Sequence, residues 1–333
     1  MKFGPVPLAQ AEGAILAHSL QGASRKVAKG TLLRAADLAE LSAAGHDTLT
    51  VARLDADDLH EDAAAEALAR ALVPEPEAQG ICVSGAGTGR VNLYAAHAGL
   101  VRLDRARLQA FNAVDPMLTI ATVPDYHRAD AGGMIATIKV ISYAVAEALV
   151  RQACADAAGA LRVLPPMIAS ATLIETRVSA DIPPDKGRAA MAGRLDRMGV
   201  ALSDRVVVPH READLAAAIA EAPGELLLVL TGSATSDAMD VAPQALRRAG
   251  GSVTRFGMPV DPGNLLFLGQ YQGRPVIGLP GCARSPALNG ADWVLERVLC
   301  GVELSSDDIA AMGIGGLLKE IPTRPMPRRE ATG

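Results

Sequence analysis

From residue 161 to 303 the chain switches repeatedly between two hydrophobic periods. "LRVLPPMIASATLIETRV", "RVVVP", "ELLLVL" and "RPVIGLPG" are apolar runs that read as strands. "KGRAAMAGRLDRMG", "EADLAAAIAEA", "APQALRRAGG" and "PALNGADWVLERVLCG" lie between or after them and carry helical spacing. Continuous apolar strands alternating with amphipathic helices predict a parallel sheet covered on both faces. "LLFLGQYQGRPVIG" predicts two strands around a tight turn at Gln272-Gly273.

The first 160 residues follow another pattern. In "AADLAELSAAGHDTLTVARL", Leu38, Leu41 and Ala44 share a helical face, Gly45 stops the helix, and "TLTVARL" alternates as a strand does. "EGAILAHSL" reads as a strand or short helix, and "DADDLHEDAAAEALARAL" as an amphipathic helix. "ICVSGAGTGRVNLYAA" opens as a strand with a glycine-rich turn behind it; "LDRARLQAFNAVD" and "AEALVRQACADA" read as helices. "LTIATVPDY" and "GMIATIKVISYAV" are rich in β-branched residues and read as strands. "VPEPEAQG" (73–80) is expected as a linker, and "IPTRPMPRREATG" as a disordered end or linker. The expected organisation is an α+β unit over 1–75, a second α/β unit over 76–155, a three-layer, mostly parallel α/β domain over 156–304, and a tail or linker over 305–333.

Composition narrows the function classes. A chain of 333 residues calls for two or three cores. Half the residues are hydrophobic and 21% are charged, a soluble globular balance. Aromatics make up only 3%, which leaves little for base-stacking platforms, and the net charge of −5 argues against coating nucleic acid or an anionic membrane. No stretch reaches the roughly 18 apolar residues of a membrane span, and "MKFGPVPLAQAEGAILAHSL" is not built like a signal peptide. Cys82, Cys154, Cys282 and Cys300 stand far apart without a C-x-x-C pair, so reduced thiols and a cytoplasmic location are expected.

In an open parallel sheet, ligands sit beyond the carboxyl ends of the strands. "TGSATS" (231–236) and "PGCARS" (280–285) follow two of the expected strands and each leads toward a helix. Small residues let main-chain N–H groups approach an anion, and a helix N-terminus favours one. The competing explanation is an ordinary tight strand-to-helix connection. Between the two loops, Pro259, Pro262 and Gly263 make a stiff turn, either hairpin geometry or one wall of a pocket.

"TGSATSDAMDVAPQAL", "GMPVDPGNLLFLG" and "VIGLPGCARSPALNG" resemble the three signature segments of the molybdopterin-binding domain, shared by molybdopterin adenylyltransferases and molybdopterin molybdotransferases. The resemblance is strongest to a bacterial branch in which "MPVDPGNLL" and "PGCARSP" stand almost as here, and whose members often continue into a nucleotidyltransferase-like domain. It extends more loosely through "AEGAILAHSL", "GAGTGRVNLYAAHAGL" and "GGMIATIKVISYAV". The chain departs from the family at Ser233, where a second Gly is usual, and at Asp237, where the insertase loop has Gly. "CARS" follows Leu-Pro-Gly in place of the usual Asn-Pro, "ATLIETRVSADIPP" replaces a Gly-Asp-Glu-Leu stretch, and an insertase's C-terminal β domain has no counterpart. Binding is therefore implied more firmly than either transfer reaction.

The resemblance implies molybdopterin as ligand, with Mg2+ and ATP or CTP as further candidates. The implied binding residues are Thr231, Gly232, Ser233, Thr235, Ser236, Asp237, Asp240, Pro262, Gly263, Asn264, Pro280, Gly281, Arg284 and Ser285. A pterin presents a donor–donor edge that a carboxylate can accept with two hydrogen bonds. Asp240 best matches the family aspartate and is also the candidate catalytic residue; its alternative is an N-cap for the following helix. Arg284 reads as a phosphate contact or a solvated surface charge. Cys282 is either a thiol near a dithiolene or a small buried side chain. No metal-ligand spacing is present. His60 reads as solvated, and "GAGTGR" lacks the full dinucleotide pattern. Arg90 and Asn92 are either a second anion contact or part of an interface, and Lys139 either reaches a ligand or snorkels to solvent. Family members usually form homo-oligomers, and the apolar "GGMIATIKVISYAV" at a sheet edge would suit that. The expected partners are a nucleotidyltransferase or a molybdoenzyme. The function expected is binding of molybdopterin, or of its nucleotide- or metal-loaded form, in molybdenum cofactor biosynthesis, with a transfer step (molybdate insertion or nucleotidyl transfer) left open; the alternatives are a non-catalytic carrier and a scaffold with an empty pocket.

Overall fold

The computed structural model describes residues 1–319, so "IPTRPMPRREATG" lies outside the described residues. The chain divides into two compact units. One holds residues 1–97 and 101–163, the other 98–100 and the chain from Leu164 onward.

In the first unit, Lys2–Pro7 and Ile15–Leu16 flank Thr48–Arg53 in an antiparallel sheet, closed by the helix Ala35–Ala43 over a small core that includes Leu16, Leu41 and Val51. A larger core joins the helices Glu61–Leu72 and Glu147–Ala157 to a second antiparallel sheet. Its strand order is Leu118–Thr122, Met134–Val140, Arg90–Ala95, Ile81–Val83. The stretch expected as a linker is internal to this core: Pro76–Gln79 forms a short helix, and buried Gln79 donates to the carbonyls of Leu72 (2.9 Å) and Leu161 (2.7 Å). Its proline and glutamate content mark a turn, and Gln79 ties that turn to a partner 82 positions away. "GAGTGR" joins two antiparallel strands rather than a strand and a helix, so no dinucleotide motif forms there. Met134–Val140, expected at an edge, is paired on both sides, which removes the edge-strand argument for a homo-oligomer.

The elements of the second unit are numbered in chain order. They are β1 (Ser170–Arg177), α1 (Lys186–Asp196), β2 (Ala201–Leu202), β3 (Val206–Pro209), α2 (Glu212–Glu221) and β4 (Leu226–Leu230). After these come α3 (Val241–Arg248), β5 (Ser252–Phe256), β6 (Phe267–Tyr271), β7 (Arg274–Gly278), α4 (Gly290–Leu299) and α5 (Ser306–Ala311). Strands β2, β3, β1, β4 and β7 run parallel; β6 pairs antiparallel with β7, and β5, antiparallel to β6, completes the edge in the direction of the first five. All five residues of β4 are buried, as an apolar run covered on both faces requires. Ile174, Leu227, Val229 and Val276 pack with α2 and α3 on one face. By alternation Leu228, Leu230 and Ile277 face the other way, where α1 and α4 bury Met191, Leu195, Val294 and Leu295. The domain is a three-layer α/β sandwich, as its alternating pattern predicts.

Residues 305–319, expected as a tail, are folded. Ser305 and Asp308 form a capping box that starts α5, and Ile309 and Leu318 are buried. Asp261 pairs with this segment: its N–H donates to the Gly316 carbonyl (2.9 Å), and its own carbonyl accepts from Leu318 (2.8 Å) and Lys319 (3.0 Å). Because the sheet, its helices and this strap belong to one unit, a fragment of residues 164–319 is expected to melt cooperatively; a broad, non-cooperative transition by circular dichroism would show that its core is incomplete. Among the described residues no helix is long and apolar enough to cross a membrane.

Candidate functional site

A single row of paired residues crosses the sheet near its carboxyl edge: Val206, Ile174, Val229, Gly278, Phe267, Phe256. Beyond that row the chain leaves β4 into residues 231–240, β5 into 257–266 and β7 into 279–289. The three segments singled out in the sequence therefore meet one edge of one sheet. Gly278 is fixed by packing in this row, since a Cβ there would overlap the Phe267 ring.

Behind β4, Thr231 and Thr235 are buried with their hydroxyls 3.3 Å apart, while Gly232, Ser233, Ser236 and Asp237 are exposed. The amides of Ser233, Ala234 and Thr235 donate to no protein group among the described residues. Gly232 differs from what its loop suggested. Its N–H is spent on the Thr176 hydroxyl (2.8 Å), and a Cβ would stand 2.6 Å from the Thr176 carbonyl oxygen. Its smallness serves the close passage of β1, and its amide is not open to a ligand.

Asp240 is the N-cap of α3. One carboxylate oxygen accepts from the Val241 amide (2.7 Å), the other from the Ser236 amide (3.0 Å). Asp237 likewise accepts from the Met239 amide (2.7 Å). The cap arises locally, because an acceptor at this position satisfies an otherwise orphaned helix donor. Asp240→Ala is expected to cost about 1–2 kcal/mol of stability, because the cap and the Ser236 tie are both lost. Asp240→Asn is expected to cost about 1 kcal/mol, because one acceptor remains. Thermal melts should rank wild type, Asn, Ala; an Ala variant melting with the wild type would contradict the cap.

Arg284 closes the gap between two of the loops. It lies in a 3-10 turn, Gly281–Arg284, and its Nη2 donates to the Thr231 carbonyl. Its stem crosses Gly187, where a Cβ would lie 3.3 Å from the Arg284 Cγ. The guanidinium is half-buried, and its Nε and Nη1 donate to no protein group among the described residues. It is neither a free surface charge nor a spent one. Pro280 is buried, Gly281 exposed and Ser285 half-exposed. Cys282 is half-exposed in the same turn, whereas burial pushes the Cys300 thiol up to about 11. Among the described residues no group of three His, Cys, Asp or Glu side chains gathers as a metal site would require.

The turn Pro259–Asn264 rests on the start of α4. Gly263 has φ +146°, and a Cβ on it would lie 2.8 Å from the Gly290 nitrogen; the Gly290 N–H donates to the Pro262 carbonyl at 2.8 Å. Only glycine serves here, by backbone conformation and by space. Pro262 is half-exposed and the Asn264 side chain is exposed.

Several residues that shape this edge escaped the sequence reading. Arg194 of α1, with only 9% of its side chain exposed, donates from Nε to Asp292 (2.5 Å). Its Nη1 and Nη2 serve the carbonyls of Ala283 (3.0 Å), Ser285 (2.8 Å) and Ala287 (3.2 Å), so one side chain holds the 279–289 loop. Arg205 pairs with buried Glu175 (2.7 Å) and donates to the Pro183 carbonyl (2.6 Å), fixing the loop after β1. Thr176 bridges Gly232 and His210. The Asn289–Asp292 capping box is readable from its spacing; the two arginines leave no local sign.

Residues 170–299 match the family model described as "Probable molybdopterin binding domain", and residues 5–53 match a domain of unknown function (DUF8806). Two solved structures of the molybdopterin biosynthesis MoeA protein from Pyrococcus horikoshii are similar. The first has 13% identity and a TM-score of 0.32 over 90% of this chain and 75% of that one. The second has 11% identity and a TM-score of 0.24 over 90% and 74%. No curated protein matches the chain. Within the second unit, residues 170–299 are similar to the molybdopterin-binding domain family.

Proposed function

We propose that the second unit binds molybdopterin, free or in a nucleotide- or metal-loaded form, and serves molybdenum cofactor biosynthesis. One observation carries the reading: the segments that resemble the domain's three signatures, far apart in sequence, leave the sheet at one edge. In this reading Thr231, Ser233, Thr235 and Ser236 surround the terminal phosphate, with the open amides of residues 233–235 as donors. Arg284, beside Gly281 and Ser285, supplies the cation. Pro262, Gly263, Asn264 and Pro280 form the wall, and Asp237 or Asp240 accepts from the pterin edge through lone pairs left over from the loop.

The carboxylates favour holding over transfer. Both oxygens of Asp240 and one of Asp237 already accept main-chain N–H groups, and a carboxylate committed as a cap is a poor general base. The chain thus acts as a carrier that passes the pterin to a nucleotidyltransferase or molybdoenzyme. Mg2+ with ATP or CTP belongs to the alternative, a transferase. The homo-oligomer usual in the family remains part of this reading, checked by light scattering. The test is to purify the full chain from a molybdopterin-making host, oxidise it and measure the fluorescent pterin released, then add Mg2+ with ATP or CTP. Retained pterin without turnover is expected. Absence of pterin together with no uptake of added molybdopterin overturns the binding function; pterin-dependent nucleotide turnover overturns the carrier form.

A further inference from the structure

We propose that His210 is a binding residue of the carboxyl-edge site: a neutral imidazole that presents its Nε2–H to a phosphate or similar oxyanion seated against residues 231–235. The inference rests on the edge being the ligand site and names a contact that the signature segments do not contain.

The argument starts from Thr176. Its side chain is fully buried at the end of β1. Its hydroxyl has two neighbours, the Gly232 amide at 2.8 Å and the His210 Nδ1 at 2.8 Å. A hydroxyl carries one hydrogen and two acceptor lone pairs. The Gly232 N–H can only donate, so it occupies one lone pair. If His210 carried its proton on Nδ1, that N–H would fill the second lone pair and leave the hydroxyl hydrogen buried with no acceptor. If Nδ1 is bare, it accepts the hydroxyl hydrogen and every partner is satisfied. Buried donors are rarely left unpaired, so the proton belongs on Nε2.

The ring's position is fixed as well. The His210 N–H donates to the Arg177 carbonyl at 2.8 Å, extending the β1–β3 pairing by one residue, and the Arg211 N–H closes a turn onto the Pro209 carbonyl at 2.8 Å. Nε2 lies across the ring from Nδ1, on the side away from buried Thr176. It has no protein partner among the described residues, and His210 is half-exposed. Thr176 therefore anchors both the imidazole, with its outward donor, and the Gly232 loop, whose next three amides, those of Ser233, Ala234 and Thr235, are unspent. Donors carried on one anchor suit an oxyanion. His210 takes the part that the Gly232 amide cannot, since that amide is already spent. Thr176 is the positioning residue.

The test is a titration of the full chain, labelled with nitrogen-15 in its histidine rings, with inorganic pyrophosphate and separately with molybdopterin. His210→Gln assigns the signal among the six histidines. The free protein should show His210 as the Nε2–H tautomer. Pyrophosphate should shift its Nε2 resonance saturably, and His210→Gln should bind about tenfold more weakly. A proton on Nδ1, an Nε2 resonance that stays still while anion binds, or wild-type affinity in the variant would each overturn the proposal. If pyrophosphate moves His210 but molybdopterin does not bind, the pterin reading falls and this inference stands. If molybdopterin binds and His210 is unmoved, the inference falls and the reading stands. If neither ligand binds, both fall.

Discussion

Arg194→Met is expected to destabilise the second unit by about 3–5 kcal/mol, the range found when one partner of a buried ion pair is removed. The substitution keeps the length and apolar stem of the side chain, so packing along α1 changes little. What is lost is the charge that balances Asp292, whose side chain is only 10% exposed, and the donors that satisfy the carbonyls of Ala283, Ser285 and Ala287. Asp292 retains one partner, the Asn289 amide at 2.7 Å, which is too little to neutralise it. The loop that carries Gly281 and Arg284 should loosen first, since those carbonyls hold it to α1. Chemical denaturation of the 164–319 fragment gives the cost. A loss below about 1 kcal/mol, the worth of an exposed pair, would show that solvent reaches Arg194.

The second large effect is expected from Arg205→Met, about 3 kcal/mol by the same mechanism. Glu175 stands inside the sheet with 3% of its side chain exposed, and Arg205 meets it through two nitrogens at 2.7 and 3.3 Å. Arg205 also holds the Pro183 carbonyl, so the connection between β1 and α1 loses its tie. Adding Glu175→Gln to Arg205→Met should recover part of the loss, because a neutral amide costs less to leave buried than a carboxylate. A double variant no more stable than Arg205→Met would place the cost in the loop instead of the buried charge.

The sheet of the second unit was legible because its cause is local. Five apolar residues at Leu226–Leu230 can be stable only as a strand buried on both sides, and Gln272-Gly273 between two such runs can only turn. The small polar loops were legible for the same reason. Their internal division of labour was not. Gly232 and Ser233 look alike in sequence; only the passage of Thr176, 56 residues away, shows that one amide is spent and the other open. Arg194 reads as a solvated helix arginine, because the carbonyls it serves lie about ninety positions downstream. In the first unit, the Pro and Glu of 74–77 gave the expectation of a linker, and nothing local shows that Gln79 binds this stretch into a core.

Amide hydrogen exchange of the full chain, with and without molybdopterin, tests the central claim most directly. The account predicts slower exchange in residues 231–240, 257–266 and 279–289, strongest at Ser233 to Thr235, whose amides are open in the free protein and would donate to the bound phosphate. The Gly232 amide, already held by Thr176, should change least within its loop. Protection that falls on the first unit, or that spares all three segments while molybdopterin is bound, would contradict the account.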